Sequence, residues 1–499
     1  MNISEAKNQV EKTVEIYLMK DEFGEYVIPV QRQRPIFLLG APGIGKTAVM
    51  EQVAEEMDIA LVSYSMTHHT RQSALGLPVI REKTFGGKEY SVSEYTMSEI
   101  LSSVYETMES SGKKEGILFL DEINCVSETL TPSMLQFLQF KTFGRHRVPK
   151  GWVVVTAGNP PQFNKGAREF DVATMDRLKV IEIDASYDAW RKYAVNRGVH
   201  GAVISYLDIR KQDFYSLENT TEGMSYVTAR GWEDLSEMIK LYEKKGFAAD
   251  ETLVKQYLRN NRVAREFADY YALYRKYKES YPVSDITAGK ASSAVFKRAK
   301  NADFGERISL LRQIVDYMEN EIDEIISTED SLRIVHGSLK SMAGNSETST
   351  KQLIEEERRK LCGLLETEEQ SGTGGSEKRR LYNNAVHTLE SYIRQLNEEG
   401  IDEDGAWEHV KTAFNTQVKE MQNQCVKIKS QLENAFKFTE KAFGEGNEML
   451  ILVTDLTVND NSLKFINRNG CDPYFKYNKK YQLQERRQAI TDEMERLHI

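Results

Sequence analysis

The chain has 499 residues, of which 28% are charged, with a formal net charge of −10 and four cysteines. This length exceeds one ordinary hydrophobic core and predicts two or three domains, while the acidic balance argues against a global polyanion-binding surface. Cys125, Cys362, Cys425 and Cys471 show neither CxxC nor zinc spacing, and with no apolar run long enough for a bilayer and no charged-then-apolar leader they point to a cytoplasmic protein with reduced thiols and no membrane segment.

Residues 3–20 suit a short helix. The apolar run 35–39 then leads into Gly40-Ala41-Pro42-Gly43-Ile44-Gly45-Lys46-Thr47, a complete GxxxxGK(S/T) loop, and a helical pattern follows from Ala48. Glycines in such a loop let successive backbone N–H groups turn toward phosphate oxygens. Lys46 then reaches the terminal phosphates, and the Thr47 hydroxyl ligates Mg²⁺ at a helix N-terminus. The expected ligand is therefore a nucleoside triphosphate, with ATP and Mg²⁺ as the working pair.

Further apolar runs at 59–65, 116–120, 152–157 and 178–183 alternate with helical stretches, the pattern of a parallel sheet flanked by helices. The run at 116–120 delivers Asp121 and Glu122 to the carboxyl edge of the sheet, where ligands of open parallel sheets bind. Asp121 is the candidate Mg²⁺ partner and Glu122 the candidate group that polarises the attacking water. The run at 152–157 ends in Gly158-Asn159-Pro160, and an amide at Asn159 could hold that water. His68 and His69 lack a third ligand nearby, so a loop near the nucleotide or a subunit interface is preferred over a metal site.

Two hairpins are expected, one around Arg81–Tyr90 with a Gly-Gly turn and one around Lys141–Val148 in a basic segment. Lys141, Arg145, His146, Arg147 and Lys150 could contact a phosphate backbone or an acidic partner. From about 186 to 285 the pattern turns helical. Farther on, Ile308, Leu311, Val315, Met318, Ile322 and Ile325 mark a seam for helix pairing, either in a packed bundle or in a coiled coil. A second long helix is expected from about Trp407 through Leu432, and loops near 341–350 and 368–377 read as flexible.

The loop at 40–47, Leu120-Asp121-Glu122-Ile123-Asn124, Thr156-Ala157-Gly158-Asn159-Pro160 and Thr174-Met175-Asp176-Arg177-Leu178 occur in the order of an AAA+ ATPase, which this chain resembles over residues 30–285. Gly76-Leu77-Pro78 and the Asp-Arg motif before Val180 add a resemblance to the MoxR family, in the helix-2-insert clade. The resemblance implies an AAA+ α/β nucleotide-binding domain at 1–185, an all-α lid at 186–285 and an extended helical C-terminal region at 286–499. It also implies that Asn159 is sensor 1, that Arg177 is an arginine finger acting on a neighbouring subunit, with Arg168 as its competitor, and that Arg230 is sensor 2. A homo-oligomeric ring, commonly a hexamer, follows from a finger acting in trans. The family further implies remodelling or chaperone-like maturation of a partner with a von Willebrand factor A domain. A nucleic-acid-directed motor resembling McrB relatives is the alternative.

Overall fold

The structure is a computed structural model and describes residues 1–68, 72, 74, 76–164, 166–220, 223–343, 348–370 and 376–483. His69 and the central parts of the two expected loops, at 344–347 and 371–375, lie outside these residues. The chain divides into one compact unit of Met1–Ala189 with Lys360–Arg380, and a second of Trp190–Arg359 with Leu381–Ile499.

In the first unit, helix α1 (Ile3–Leu18) starts in a capping box. Asn2 Oδ1 accepts from the Glu5 N–H at 2.9 Å, and Glu5 Oε2 accepts from the Asn2 N–H at 3.0 Å. Strand β1 (Ile36–Gly40) precedes helix α2 (Lys46–Glu56) and strand β2 (Ala60–Ser65). A hairpin of β3 (Pro78–Phe85) and β4 (Lys88–Tyr95) turns through Gly86 and Gly87, whose φ values of 58° and 82° are those a tight hairpin turn demands. Helix α3 (Glu99–Ser111), strand β5 (Gly116–Asp121) and helix α4 (Thr131–Phe140) follow. The short pair β6 (Thr142–Phe143) and β7 (His146–Arg147) leads to β8 (Trp152–Gly158), helix α5 (Val172–Met175) and β9 (Lys179–Ile183).

Strands β2, β5, β8, β1 and β9 form one parallel sheet in that order. Phe37, Leu118, Leu120, Trp152 and Val154 pack with Ile100, Leu101, Met134 and Phe137 of α3 and α4. Ile36, Leu38, Ile117, Phe119, Val153 and Val155, one step out of phase along the strands, are buried as well. Successive side chains alternate between faces, so the central strands are covered on both sides, which is why they read as continuous apolar runs rather than alternating ones.

The basic segment at 141–150 departs from expectation. Lys141 is buried at 3% exposure, because it caps the C-terminus of α4 with φ 56° and folds its ammonium back onto the Leu138 carbonyl. Burial pulls its pKa down to about 8. Arg145 pairs with Glu94, which Lys83 also pairs with, and Lys150 pairs with Glu25 at 2.6 Å. Lys141, Arg145 and Lys150 are thus engaged within their own unit.

Helix α6 (Tyr187–Asn196) crosses the division between the units. The second unit then contains α7 (Gly201–Ile209), a hairpin of β10 (Ser216–Thr220) and β11 (Gly223–Val227), α8 (Ala229–Lys245), α9 (Glu251–Tyr257) and α10 (Asn261–Ser280). Helices α11 (Val283–Thr287) and α12 (Ser293–Asn301) lead to α13 (Phe304–Met342). Next come α14 (Thr350–Gln370), α15 (Ser376–Glu398), α16 (Glu403–Phe443), α17 (Asn447–Val458) and α18 (Asp460–Asn469).

Every residue from Ile308 to Val315 is buried, so α13 is enclosed all round in this stretch. A two-helix coiled coil would bury only one stripe. Helices α7, α10, α16, α17 and α18 all pack on α13, making it the axis of a bundle. Val315, Met318 and Ile322 there meet Leu432, Phe436 and Leu452. The fold is therefore an α/β parallel sheet with flanking helices followed by a helical region, and no described helix is long and apolar enough to cross a membrane.

Candidate nucleotide site

Sheet order explains why distant residues meet. Strand β8 lies between β5 and β1, with Leu120 opposite Thr156 and Leu39 opposite Gly158. The carboxyl ends of three adjacent strands therefore present the 40–47 loop, Asp121-Glu122 and Asn159 along one edge.

The loop has the geometry its glycines permit. Gly43 and Gly45 have φ values of 72° and 96°, a region costly for other residues, and a Cβ on Gly45 would face open space. At the loop entry the constraint is different: a Cβ on Gly40 would come within 2.7 Å of Ile44 Cδ1 and 2.8 Å of the Ile183 carbonyl. Lys46, at 7% exposure, donates to the Gly40 carbonyl at 2.8 Å, the Ala41 carbonyl at 2.9 Å and Asn159 Oδ1 at 2.9 Å. Its ammonium thus sits between the loop and the end of β8, held by carbonyl-type oxygens. Thr47 Oγ1 donates to Asp121 Oδ2 at 3.0 Å. A hydroxyl and a carboxylate in contact at a helix N-terminus are a donor set suited to a hard divalent cation with retained waters, so the residues fit Mg²⁺.

Glu122 has φ 56°, and its backbone N–H donates to Asp121 Oδ1 at 2.8 Å. Its Oε2 accepts from Ser65 Oγ and Thr67 Oγ1, each at 3.1 Å. Neither hydroxyl was singled out from the sequence. The signal that identifies them is three-dimensional: β2 pairs with β5 so that Ser65 lies opposite Asp121. Asn124 lies two residues beyond Glu122, in the turn Ile123–Cys125. Its Nδ2 donates to the Asn159 carbonyl at 2.8 Å and to the Arg168 carbonyl at 3.3 Å, while its own carbonyl accepts from the Arg168 N–H at 2.9 Å. A Cβ on Gly158 would fall 2.5 Å from Asn124 Oδ1, so a glycine there admits this brace. Burial, with Glu122 and Asp121 next, pushes the Cys125 thiol up from its ordinary value, which suits a packed thiol rather than a reactive thiolate.

The candidate arginines differ in their surroundings. Arg168 Nη2 is paired with Glu128 at 2.7 Å within the same unit. Arg177 follows α5, is exposed, and donates from Nη1 to the Ala173 carbonyl at 3.2 Å in its own turn. Arg230 belongs to the second unit, exposed in the first turn of α8. That helix is capped by Thr228, whose side chain accepts from the Gly231 N–H at 3.1 Å. Replacing Thr228 with Ala is expected to cost about 1 kcal/mol of stability. Urea denaturation followed by circular dichroism measures this; a change of less than a few tenths would mean the cap contributes nothing.

Residues 36–172 match the family model of the ATPase family associated with various cellular activities (AAA). The matched segment includes the loop, Asp121, Glu122 and Asn159, and stops before Arg177 and Arg230. It supports an AAA+ ATPase and, with it, nucleotide binding. No curated protein matches the chain.

Proposed function

We propose that the chain is a cytoplasmic, Mg²⁺-dependent AAA+ ATPase of MoxR type. In this reading it works as a homo-oligomeric ring, most simply a hexamer. It couples ATP hydrolysis to remodelling or chaperone-like maturation of a protein partner that carries a von Willebrand factor A domain. The observation that carries the ATPase reading is the contact of Thr47 with Asp121 beside the contact of Lys46 with Asn159, at the edge formed by three neighbouring parallel strands. The finer family, ring and partner assignments rest on the resemblance of the motifs.

The roles follow from chemistry. Backbone N–H groups of the 40–47 loop cradle the phosphates, and Lys46 exchanges carbonyl partners for phosphate oxygens. Thr47 and Asp121 would hold Mg²⁺, which would supply charge neutralisation and orientation of the triphosphate. Glu122 accepts the proton of the attacking water, and Asn159 orients that water. Arg177 supplies a cation to the site of the next subunit, where negative charge spreads over the transferring phosphoryl oxygens. Both arginines are exposed, but Arg168 pairs with Glu128 while Arg177 donates to a carbonyl of its own turn, which supports Arg177 for this role. Arg230 reads the nucleotide state from the helical lid.

The direct test is nucleotide binding and phosphate release by wild type and Lys46→Ala with Mg²⁺ and ATP. Wild type should bind and turn over, and Lys46→Ala should lose nucleotide binding. Equal binding by the two proteins would remove the loop from the site.

A further inference from the structure

Strand β5 ends in Asp121, and after Glu122 the chain tightens into the turn Ile123–Cys125, where Asn124 is only 4% exposed. A buried amide needs acceptors for its two N–H donors. Asn124 spends them on the Asn159 carbonyl at 2.8 Å and the Arg168 carbonyl at 3.3 Å. Its own main-chain carbonyl accepts from the Arg168 N–H at 2.9 Å, so Arg168 is held through both polar groups of its backbone. The segment 160–167 therefore departs from one contact of Asn124 and returns to another. Cys125 adds a further tie, its Sγ accepting from Asn164 Nδ2 at 3.3 Å. Within the segment, the Phe163 N–H donates to the Pro160 carbonyl at 3.0 Å and the Ala167 N–H to the Asn164 carbonyl at 2.9 Å.

Asn159 is the residue that this arrangement controls. Its Oδ1 accepts from Lys46 Nζ at 2.9 Å, while its carbonyl accepts from Asn124. The carbonyl carbon is bonded to the Cα that bears the amide side chain, so holding the one holds the base of the other. Pro160 assists from the far side, because it has no N–H and disfavours the helical region for the residue before it. Upstream, the backbone of Gly158 lies close against Asn124, since a Cβ there would fall 2.5 Å from Oδ1 and 2.9 Å from Cγ. Gly158 and Asn159 are thus both placed by one amide that stands two positions beyond Glu122.

We propose that Asn124 is a positioning residue of the ATPase site, acting through Asn159 so that the Asn159 amide and the Glu122 carboxylate meet the same water in a fixed relation. This role rests on the ATPase reading and adds to it a residue that touches neither nucleotide nor water. It also ties the main chain of the exposed Arg168 to the frame of the site.

Single-turnover ATP hydrolysis and equilibrium binding of a fluorescent nucleotide by Asn124→Ala, Asn159→Ala and the double variant test the role. Asn124→Ala should slow hydrolysis at saturating ATP by roughly 10- to 100-fold, the scale of a lost hydrogen bond and a displaced group, with the nucleotide Kd within about twofold of wild type. In the Asn159→Ala background the same substitution should slow hydrolysis almost no further, because the side chain it positions is gone. Asn124→Ser keeps a donor but is too short to span both carbonyls. It should fall between wild type and Asn124→Ala, and it carries the same comparison if Asn124→Ala does not fold. An unchanged rate in Asn124→Ala, or full additivity with Asn159→Ala, would overturn the proposal. A brace that only stabilises the fold would lower the thermal transition and leave hydrolysis per folded molecule intact, which also counts against it. Absence of hydrolysis by wild type would remove the ATPase reading and this role with it, whereas the outcomes just named, beside an active wild type, remove this role alone.

Discussion

Glu122→Gln is expected to bind ATP as tightly as wild type and to lose turnover by about 10²–10⁴-fold, the contribution of a positioned general base. The substitution removes basicity and little else. Glu122 is half-buried at the end of β5, its backbone N–H is held by Asp121, and its Oε2 is held by the hydroxyls of Ser65 and Thr67. An amide oxygen accepts the same two hydrogen bonds, so the local structure survives. Lys46 bonds to Gly40, Ala41 and Asn159 and Thr47 to Asp121, whereas the Glu122 carboxylate is held by Ser65 and Thr67, which is why binding and chemistry separate. Equilibrium binding of a fluorescent nucleotide together with steady-state phosphate release makes the measurement. Wild-type turnover in Glu122→Gln would put the base elsewhere, and parallel loss of binding would show that the carboxylate has a structural task.

Arg177→Ala should hydrolyse ATP about 10³–10⁵-fold more slowly, the range of arginine fingers. Because Arg177 is exposed and bonds to a carbonyl of its own turn, its removal should leave the thermal transition of the protein unchanged. The same residue allows a test of its direction of action. Lys46→Ala subunits lack a working loop but keep Arg177, and Arg177→Ala subunits have the reverse defect. Mixed in one ring, they create interfaces with a sound loop opposite a sound finger, and activity should partly return. Proven mixed assemblies with no recovery would sink the trans assignment and restore Arg168, once freed of Glu128, as the competitor.

The loop at 40–47 and the Asp121-Glu122 pair were legible because their chemistry is local. A phosphate cradle needs glycines, a lysine and a hydroxyl within one turn, and a strand end carries its carboxylates in the next residues. The five sheet strands were legible for a similar reason. Strands covered on both faces read as runs of apolar residues, as Ile117 to Leu120 of β5 and Trp152 to Val155 of β8 do. Ser65 and Thr67 were not legible, since a serine and a threonine after an apolar run are common until β2 is known to pair with β5. In the basic segment, net charge along the sequence does not reveal which cations cap a helix or meet a carboxylate. Lys141 and Arg145 do so.

The sequence by itself determined a nucleotide-binding α/β region followed by a long helical one, because periodicity and loop chemistry depend on residues close together in the chain. Tertiary structure alone decided the rest. It set the order β2-β5-β8-β1-β9, which brings Lys46 to Asn159 and Ser65 to Glu122. It also decided that α13 is the buried axis of a bundle rather than one strand of a coiled coil. It gathered Arg312, Asp316, Glu319 and Asp455 into one ion-pair network, although Arg312 and Asp455 lie 143 positions apart. The reason is that a buried charge is tolerated only where its partners arrive in space, and those partners come from helices whose sequence order does not record their packing.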